Sequence, residues 1–462
     1  MYRYILEDTR HVLPFNEPAS KLVIGTSTLT FHQDEVLTQV FSRDKTPIKL
    51  GDTFQLPGQM HNIRDDEPAF VYRDNLWFDS EFLQAFIDRA KKSDKACQAA
   101  IFTDDKERAF KPYALPLSTA FETTSTDAQS GRPIALVDMW YFPKGYTKDV
   151  QPIPIDSEAE PRGFYSVPDF MAQDKVEELT HYLPKYALLS IESWVHIFYA
   201  SVIFGVFTRG FRFEERIKHH NFMALKLLWR GIMEQRQMLT TSAAVKVGKD
   251  TVIDPSAIIS GPTTIGERCY IGPGAVIDNC TIGDDVTVSQ GCQLMLSTVA
   301  NNCFLPFRAS LFMTSLMSGT IIAQNTCLQM CVIGRDSFVG AGNTFTDFNL
   351  VGEPDGRGGV VPRTIKASNI KGDLEDVGQV VLGGAVGHNC RIGSGMIIFP
   401  GRMIESDVTL FASAQRRVIT RDVSYEESDH HTLKVGEKAV QRQYPRQGER
   451  DERTDQLTWE RW

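Results

Sequence analysis

Large aliphatic side chains recur along the second half of the chain at a six-residue step. Val247, Ile253, Ile259, Ile265, Ile271 and Ile277 are spaced by six, and from Ile282 to Phe345 the steps run mainly six, six, five. Four positions after each anchor stands a short side chain, such as Thr251, Ala257, Cys269 or Ser337. This pattern predicts a three-sided parallel β-helix over 245–413, with three anchors per coil stacked inside. It breaks over 351–379, a stretch rich in glycine, proline and charge, and resumes at Val380, Val386, Ile392, Ile398, Ile404 and Leu410. An ejected loop of that size either folds over a neighbouring subunit's site or is a plain flexible insertion.

Residues 1–180 read differently, as an α/β domain. Strands are expected at Tyr4–Leu6, Ala69–Tyr72, Ala99–Phe102 and Ile134–Phe142. Between the second and third, Phe82, Leu83, Phe86, Ile87 and Ala90 recur at helical spacing, which predicts a helix over Ser80–Lys91 capped by Asp79 or Ser80. The proline-rich, acidic stretch 150–168 suits a long surface loop. Residues 170–240 look helical, with 181–244 as a linker between the domains. Within it, Tyr186–Phe207 carries only Glu192 and His196 as ionisable groups and is followed by Arg209, Arg212, Arg216, Lys218, Lys226 and Arg230. A helix buried between domains is the favoured reading. A peripheral membrane contact through 186–207 and a membrane span are the alternatives. The charged tail 414–462 is expected to add a strand or two and a mobile end.

Counting anchors in threes separates the solenoid faces. Beside Ile259, Ile277, Leu294, Leu311 and Leu328, the next residues are Ser260, Asp278, Met295, Phe312 and Gln329, and those after are Gly261, Asn279, Leu296, Met313 and Met330. The exterior therefore turns apolar after two coils. Such a stripe marks an interface. Packing between subunits is the expectation, with contact to 186–207 or an acyl-chain site as alternatives.

Composition changes little in this picture. The net charge of −9 argues against nucleic acid as a partner. Cys269, Cys292, Cys303 and Cys390 fall at the short inward positions and are expected to be core thiols. The N-terminal run lacks a secretory hydrophobic segment, so a cytoplasmic location is expected.

The solenoid resembles the hexapeptide acyltransferase superfamily, which implies left-handed winding and a homotrimer. Its stretch 339–349 is similar to that of the bifunctional uridyltransferase–acetyltransferase family that makes UDP-N-acetylglucosamine. Here Gly340, Ala341, Gly342, Asn343 and Thr344 are followed by Asp347, Phe348 and Asn349, with Asp355–Gly356 later. The resemblance implies Asn349 as a substrate contact. Where that family carries a catalytic histidine before an Ile-Gly pair, Gln329 precedes Ile333–Gly334. His388, the only histidine of the solenoid, is the remaining candidate base, with Asp347 to orient it and acyl-CoA as co-substrate. The N-terminal half resembles sugar-phosphate nucleotidyltransferases. A first strand ends at Leu6, and Arg10, Pro18 and Lys21 follow, although Glu7, Asp8 and Thr9 stand where loop glycines are usual. The resemblance implies Mg²⁺ at Asp74, phosphate contact by Lys21, and pyrophosphate stabilisation by Arg10. A nucleotide or sugar phosphate would be the small-molecule partner. The three expected functions are nucleotidyl transfer, acyl transfer, and a catalytically decayed scaffold.

Overall fold

The computed structural model describes residues 1–43, 47–64, 67–166, 178–219, 221–235, 237–354, 360–432 and 442–448. The α/β domain is built on a mixed sheet ordered Gln151–Ile155, Cys97–Phe102, Pro133–Phe142, Ala69–Arg73, Tyr2–Leu6, Lys49–Phe54. Tyr2–Leu6 runs parallel to both of its neighbours, so its carboxyl end and that of Ala69–Arg73 lie at the same edge. Helices Leu29–Arg43 and Ser80–Ser93 cover the sheet with their buried apolar faces. The second matches the predicted periodicity, and Asp79 caps it by accepting the Phe82 N–H at 2.8 Å. The first has a weaker stripe and was not foreseen.

Two expectations for this half need correction. The proline-rich stretch 150–168 is no plain loop, since Gln151–Ile155 and Glu160–Ser166 are strands. Pro152 and Pro154 alternate along the sheet's edge strand, where a missing N–H costs no ladder bond. The α/β unit also reaches past 180. Glu178–Leu183 pairs with Glu160–Ser166, and Leu188–Ser190 pairs with Leu76–Phe78. Positions 167–177, part of the expected helical region, lie outside the described residues.

From Val245 the chain winds into three parallel sheets of 8 strands each, one per face, a left-handed β-helix. From Ile259 onward the anchors point inward as predicted and form a separate core with Cys269, Cys292, Cys303 and Cys390, whereas Val247, on the first coil, is 45% exposed. The coils re-enter register at Ala385–Val386 rather than at Val380, with Val332 paired to Ala385 across the insertion. The insertion folds onto its own chain. Ile365, Ala367 and Val377 join the core of the α/β domain, and Ser193 Oγ donates to the Ser368 carbonyl.

The three faces have different fates. On the first, outward residues such as Thr298, Ser315, Val332 and Ala385 are buried. The helix Trp194–Phe198 and the wider helical turn Tyr199–Phe207 pack over them. This settles the apolar segment. The run Trp194–His219 is long and apolar enough to span a membrane, but 78% of its most apolar window is buried inside the protein. The exposed apolar helix is the next one, Asn221–Glu234, where Phe222 is 82% and Trp229 56% exposed.

The predicted stripe divides at the corner between the third and first faces. Leu296, Met313 and Met330 are buried and belong to the same core as Phe204 and Val202, on the side of the solenoid that the segment 186–207 covers. Their backbones are left-handed, with φ of 50°, 47° and 52°. Each such residue costs roughly 1–2 kcal/mol, which burial of the side chain offsets. Met295 and Phe312 instead face outward on the third face, where Phe312 meets Phe164. The second face stays open, with Tyr270, Thr287, Phe304, Ile321 and Phe338 on successive coils.

Candidate functional site

Parallel strands of an open α/β sheet place ligands beyond their carboxyl ends. At that edge Asp8 and Asp74 meet, because Leu6 pairs with Arg73. The Asp8 N–H donates to Asp74 Oδ1 at 2.7 Å. Arg10 reaches back to Asp8, with Nε 2.9 Å from Oδ1 and Nη2 2.6 Å from Oδ2. Its Nη1 also donates to Thr119 Oγ1 at 2.8 Å and to Glu192 at 3.2 Å. Asn75 bridges Asp8 and the Ser190 hydroxyl, both at 3.0 Å. Arg10 and Asp74 are therefore brought together through Asp8, while Lys21 stands exposed and lends its carbonyl to Arg335. Asp8, Asn75, Thr119 and Glu192 were not predicted. The signal for Glu192 was its isolation as the single acid of an apolar run.

The charges at this edge are unequal. Burial raises the Asp74 carboxyl to about 6, with Ser20 and the Asp8 amide offsetting part of the rise. Burial also pushes Asp8 upward, but hydrogen bonds and charge from Arg10 hold it below its ordinary value. Glu192 is likewise held down against burial, by Thr119 and Arg10. The oxygens of Asp8 and Glu192 are thus taken by donors. Among the described residues no group of three or more His, Cys, Asp or Glu is placed to hold a metal. Asp74 fits Mg²⁺ in one way only, as a single carboxylate ligand for an ion carried by the substrate's phosphates, the usual manner of Mg²⁺ in phosphoryl chemistry.

His388 sits at a solenoid corner as predicted, but it is fully buried. Nδ1 accepts the Arg335 N–H at 2.8 Å, and Nε2 faces Glu17 Oε2 at 3.4 Å. The rings of Phe15 and Tyr444 flank it at 5.0 and 4.8 Å. The basic nitrogen is therefore occupied, and burial lowers the ring's proton affinity. Asp347 lies after the third-face strand Thr344–Phe345, whereas His388 turns from the first face to the second. The expected His388–Asp347 pair is not assembled. His388 instead joins the solenoid to the turn 13–18 of the α/β domain, alongside Asn16–Glu405 and Ser406–Pro14 contacts. His388→Ala is expected to cost about 1–3 kcal/mol, because the Arg335 N–H loses its acceptor. Since the ring is neutral when folded and ordinarily titrates at 6.5, wild-type stability should fall as pH drops through that value. Urea titrations of both proteins between pH 8 and 5 would check it, and an equally steep fall in the variant would reject this role.

Asp347 lines a groove of about 520 Å³ on the third face. With its amide nitrogen turned toward the carboxylate, Gln329 donates to both Asp347 oxygens at 2.8 and 3.0 Å. Burial raises the Asp347 carboxyl. Asn349 spends its amide on the insertion's Arg363 and Thr364 carbonyls, at 3.4 and 3.3 Å. Asp355–Gly356 lies outside the described residues.

The chain thus joins a left-handed β-helix to an α/β domain. Residues 244–279 match the family described as bacterial transferase hexapeptide (six repeats). The chain is similar to the Bifunctional protein GlmU of Syntrophomonas wolfei, 32% identical over 207 residues, 44% of this chain and 41% of that protein. That of Thermotoga petrophila is 28% identical over 173 residues, 36% of this chain and 37% of the relative. The matched part thus spans about two fifths of these relatives' length. Among solved structures, the acetyltransferase domain of PglB from Neisseria gonorrhoeae with acetyl coenzyme A is 16% identical, with a TM-score of 0.13 over 37% of this chain and 55% of that one. The UDP-N-acetylglucosamine acyltransferase from Campylobacter jejuni is 14% identical, with a TM-score of 0.17 over 36% and 57%. Likenesses this slight bear no argument.

Proposed function

We propose that the protein transfers a nucleotidyl group to a sugar phosphate at the carboxyl edge of the α/β sheet. The observation that carries this reading is the meeting of Asp8, Arg10 and Asp74 beyond two parallel strands. In the reaction a sugar-phosphate oxygen attacks the α-phosphorus of a nucleoside triphosphate, the bond to the β-phosphate breaks, and pyrophosphate leaves. Asp74 would hold the Mg²⁺ that enters with the triphosphate. That ion would offset phosphate charge. Arg10, 39% exposed and held in place by Asp8 and Glu192, would stabilise the departing pyrophosphate. Lys21 supplies a further cation. The resemblance of the N-terminal half to sugar-phosphate nucleotidyltransferases supports this class of substrate, and nucleotide-sugar or cell-envelope metabolism is the setting proposed, in a cytoplasm where all eight cysteines stay free thiols.

Pyrophosphate release from UTP, CTP, GTP or TTP with a panel of sugar phosphates tests the reading. Asp74→Asn is expected to lower turnover about a hundredfold, the equivalent of roughly 3 kcal/mol in the barrier. In the wild type, activity should rise with pH through about 6, as Asp74 gives up its proton. A pH profile unchanged in Asp74→Asn would reject Asp74 as the ligand.

One observation favours a second reading, a scaffold whose catalytic loop has decayed. All three Arg10 side-chain nitrogens donate within the protein, and the Asp8 and Arg10 amides are spent on the Asp74 and Asp8 carboxylates, at 2.7 and 3.0 Å. Silence across the whole substrate panel would favour it. Acyl transfer from acyl-CoA through His388 is not carried forward, because that ring is sealed in the junction. In either reading we place the contact of a homotrimer on the open second face.

A further inference from the structure

We propose that the groove on the third solenoid face binds a linear aliphatic polyamine. It is a site distinct from the carboxyl edge, and it does not depend on nucleotidyl transfer. One wall is the solenoid exterior, with Asp278, Met295, Phe312 and Gln329 on successive coils. The opposite wall comes from the α/β domain, where Phe164 stands with its ring centre 6.3 Å from that of Phe312. Asp278 and Gln329 are three coil steps apart, about 14 Å at the usual strand spacing. Asp347 continues the line beyond Gln329. The groove therefore has a carboxylate at each end and an apolar, aromatic middle.

No lysine, arginine or histidine lines it among the described residues. Among the described residues neither carboxylate has a cation beside it. Asp347 has the neutral Gln329 amide, and Asp278 has a like charge nearby in Glu214. Burial raises both carboxyls. Two carboxylates left without a counter-charge in a partly desolvated groove attract a cation more strongly than surface acids do. A single metal ion cannot serve both, since they lie too far apart. An anionic or purely apolar chain would leave both unmatched. A chain of methylenes with terminal ammonium groups meets every part of the groove at once. Its ends reach the two carboxylates, its methylenes lie on Met295 and Phe312, and an internal ammonium can rest against the rings of Phe312 and Phe164.

Spermine matches the span, whereas putrescine is too short to reach both ends. Calorimetric titration of the full chain at pH 7.5 in 0.15 M salt is the test. Spermine is expected to bind one per chain, at least about tenfold more tightly than putrescine, as the loss of one ion pair near 1.4 kcal/mol requires. Asp347→Asn and Asp278→Asn should each weaken spermine about tenfold and leave putrescine less affected. Both variants should fold, since each removes a charge that burial opposes. Asp88→Asn, on the exposed side of the helix Ser80–Ser93, controls for general attraction of polycations to an acidic protein and should bind as wild type. Spermine binding unchanged in both groove variants would overturn the site. So would equal affinity for spermine, putrescine and Mg²⁺, which would mark diffuse charge attraction instead.

Discussion

Glu192→Ala is expected to destabilise the folded protein by about 3–5 kcal/mol. The carboxylate is fully buried at the start of the apolar segment that joins the two domains. It accepts from the Thr119 and Ala120 backbone N–H groups, both at 3.0 Å, and from the Ser118 and Ser190 hydroxyls at 2.9 and 2.8 Å. The Thr119 hydroxyl and Arg10 complete the set, at 2.5 and 3.2 Å. Truncation leaves two amides and part of a guanidinium without their acceptor, away from water. Leaving such groups unmet costs far more than the hydrogen bonds contribute net. Glu192→Gln should cost less, about 1–3 kcal/mol. Its shape is retained, but its amide nitrogen would face donors.

The pH dependence carries a definite sign. Burial pushes Glu192 up, but its donors hold it below the ordinary 4.5. Its contribution is therefore present above 4.5 and lost as pH falls through the lower folded value. Urea unfolding at pH 7 should show the full loss in Glu192→Ala, with the gap to wild type narrowing toward acid. A loss below 1 kcal/mol at pH 7 would show that the cage is not a stabilising unit. Because Glu192 also anchors Arg10 and the loop 118–120, the proposed nucleotidyl transfer should fall with stability.

The residues that were legible and those that were not differ in how far away their partners lie. The solenoid is written locally, since each inward anchor and each short side chain repeats within one coil, and the sheets follow from stacking alone. The helix Ser80–Ser93 and its Asp79 cap are equally local. Asp74 was readable as a strand end before a turn. Its neighbours Asp8 and Asn75 became visible only through sheet pairing. His388 was identified by its rarity, but its role is set by Glu17 and Phe15, at the other end of the chain. The segment Tyr186–Phe207 shows the same limit. Its composition suits lipid and protein core alike, and only the solenoid face it meets decides between them. Gln151–Ile155 misled for a different reason. Prolines signal loops, yet an edge strand tolerates them on its unpaired side.

Met313→Asp and Phe304→Asp should separate the two interfaces of the solenoid. Met313 is fully buried where the third face meets the helical segment 199–207. Aspartate would lose the buried thioether, worth about 1.5–3 kcal/mol, and would place a carboxyl in an apolar contact without a partner. Together these should cost about 4 kcal/mol or more. Aspartate tolerates the left-handed backbone better than methionine does, which returns only a fraction of that. Phe304 is 43% exposed on the open second face, between Tyr270 and Phe338 in the stack of coils. Aspartate there should leave the fold of one chain intact, because the side chain contributes little to its own core. If this face joins three copies, the solution mass of Phe304→Asp should drop to that of a single chain while its thermal unfolding remains cooperative. Met313→Asp should instead keep the trimeric mass at low temperature and unfold far below wild type. Sedimentation and scanning calorimetry on both variants distinguish these outcomes. A trimeric Phe304→Asp would move the contact off the second face. A Met313→Asp as stable as wild type would refute the packing of the apolar segment against the coils.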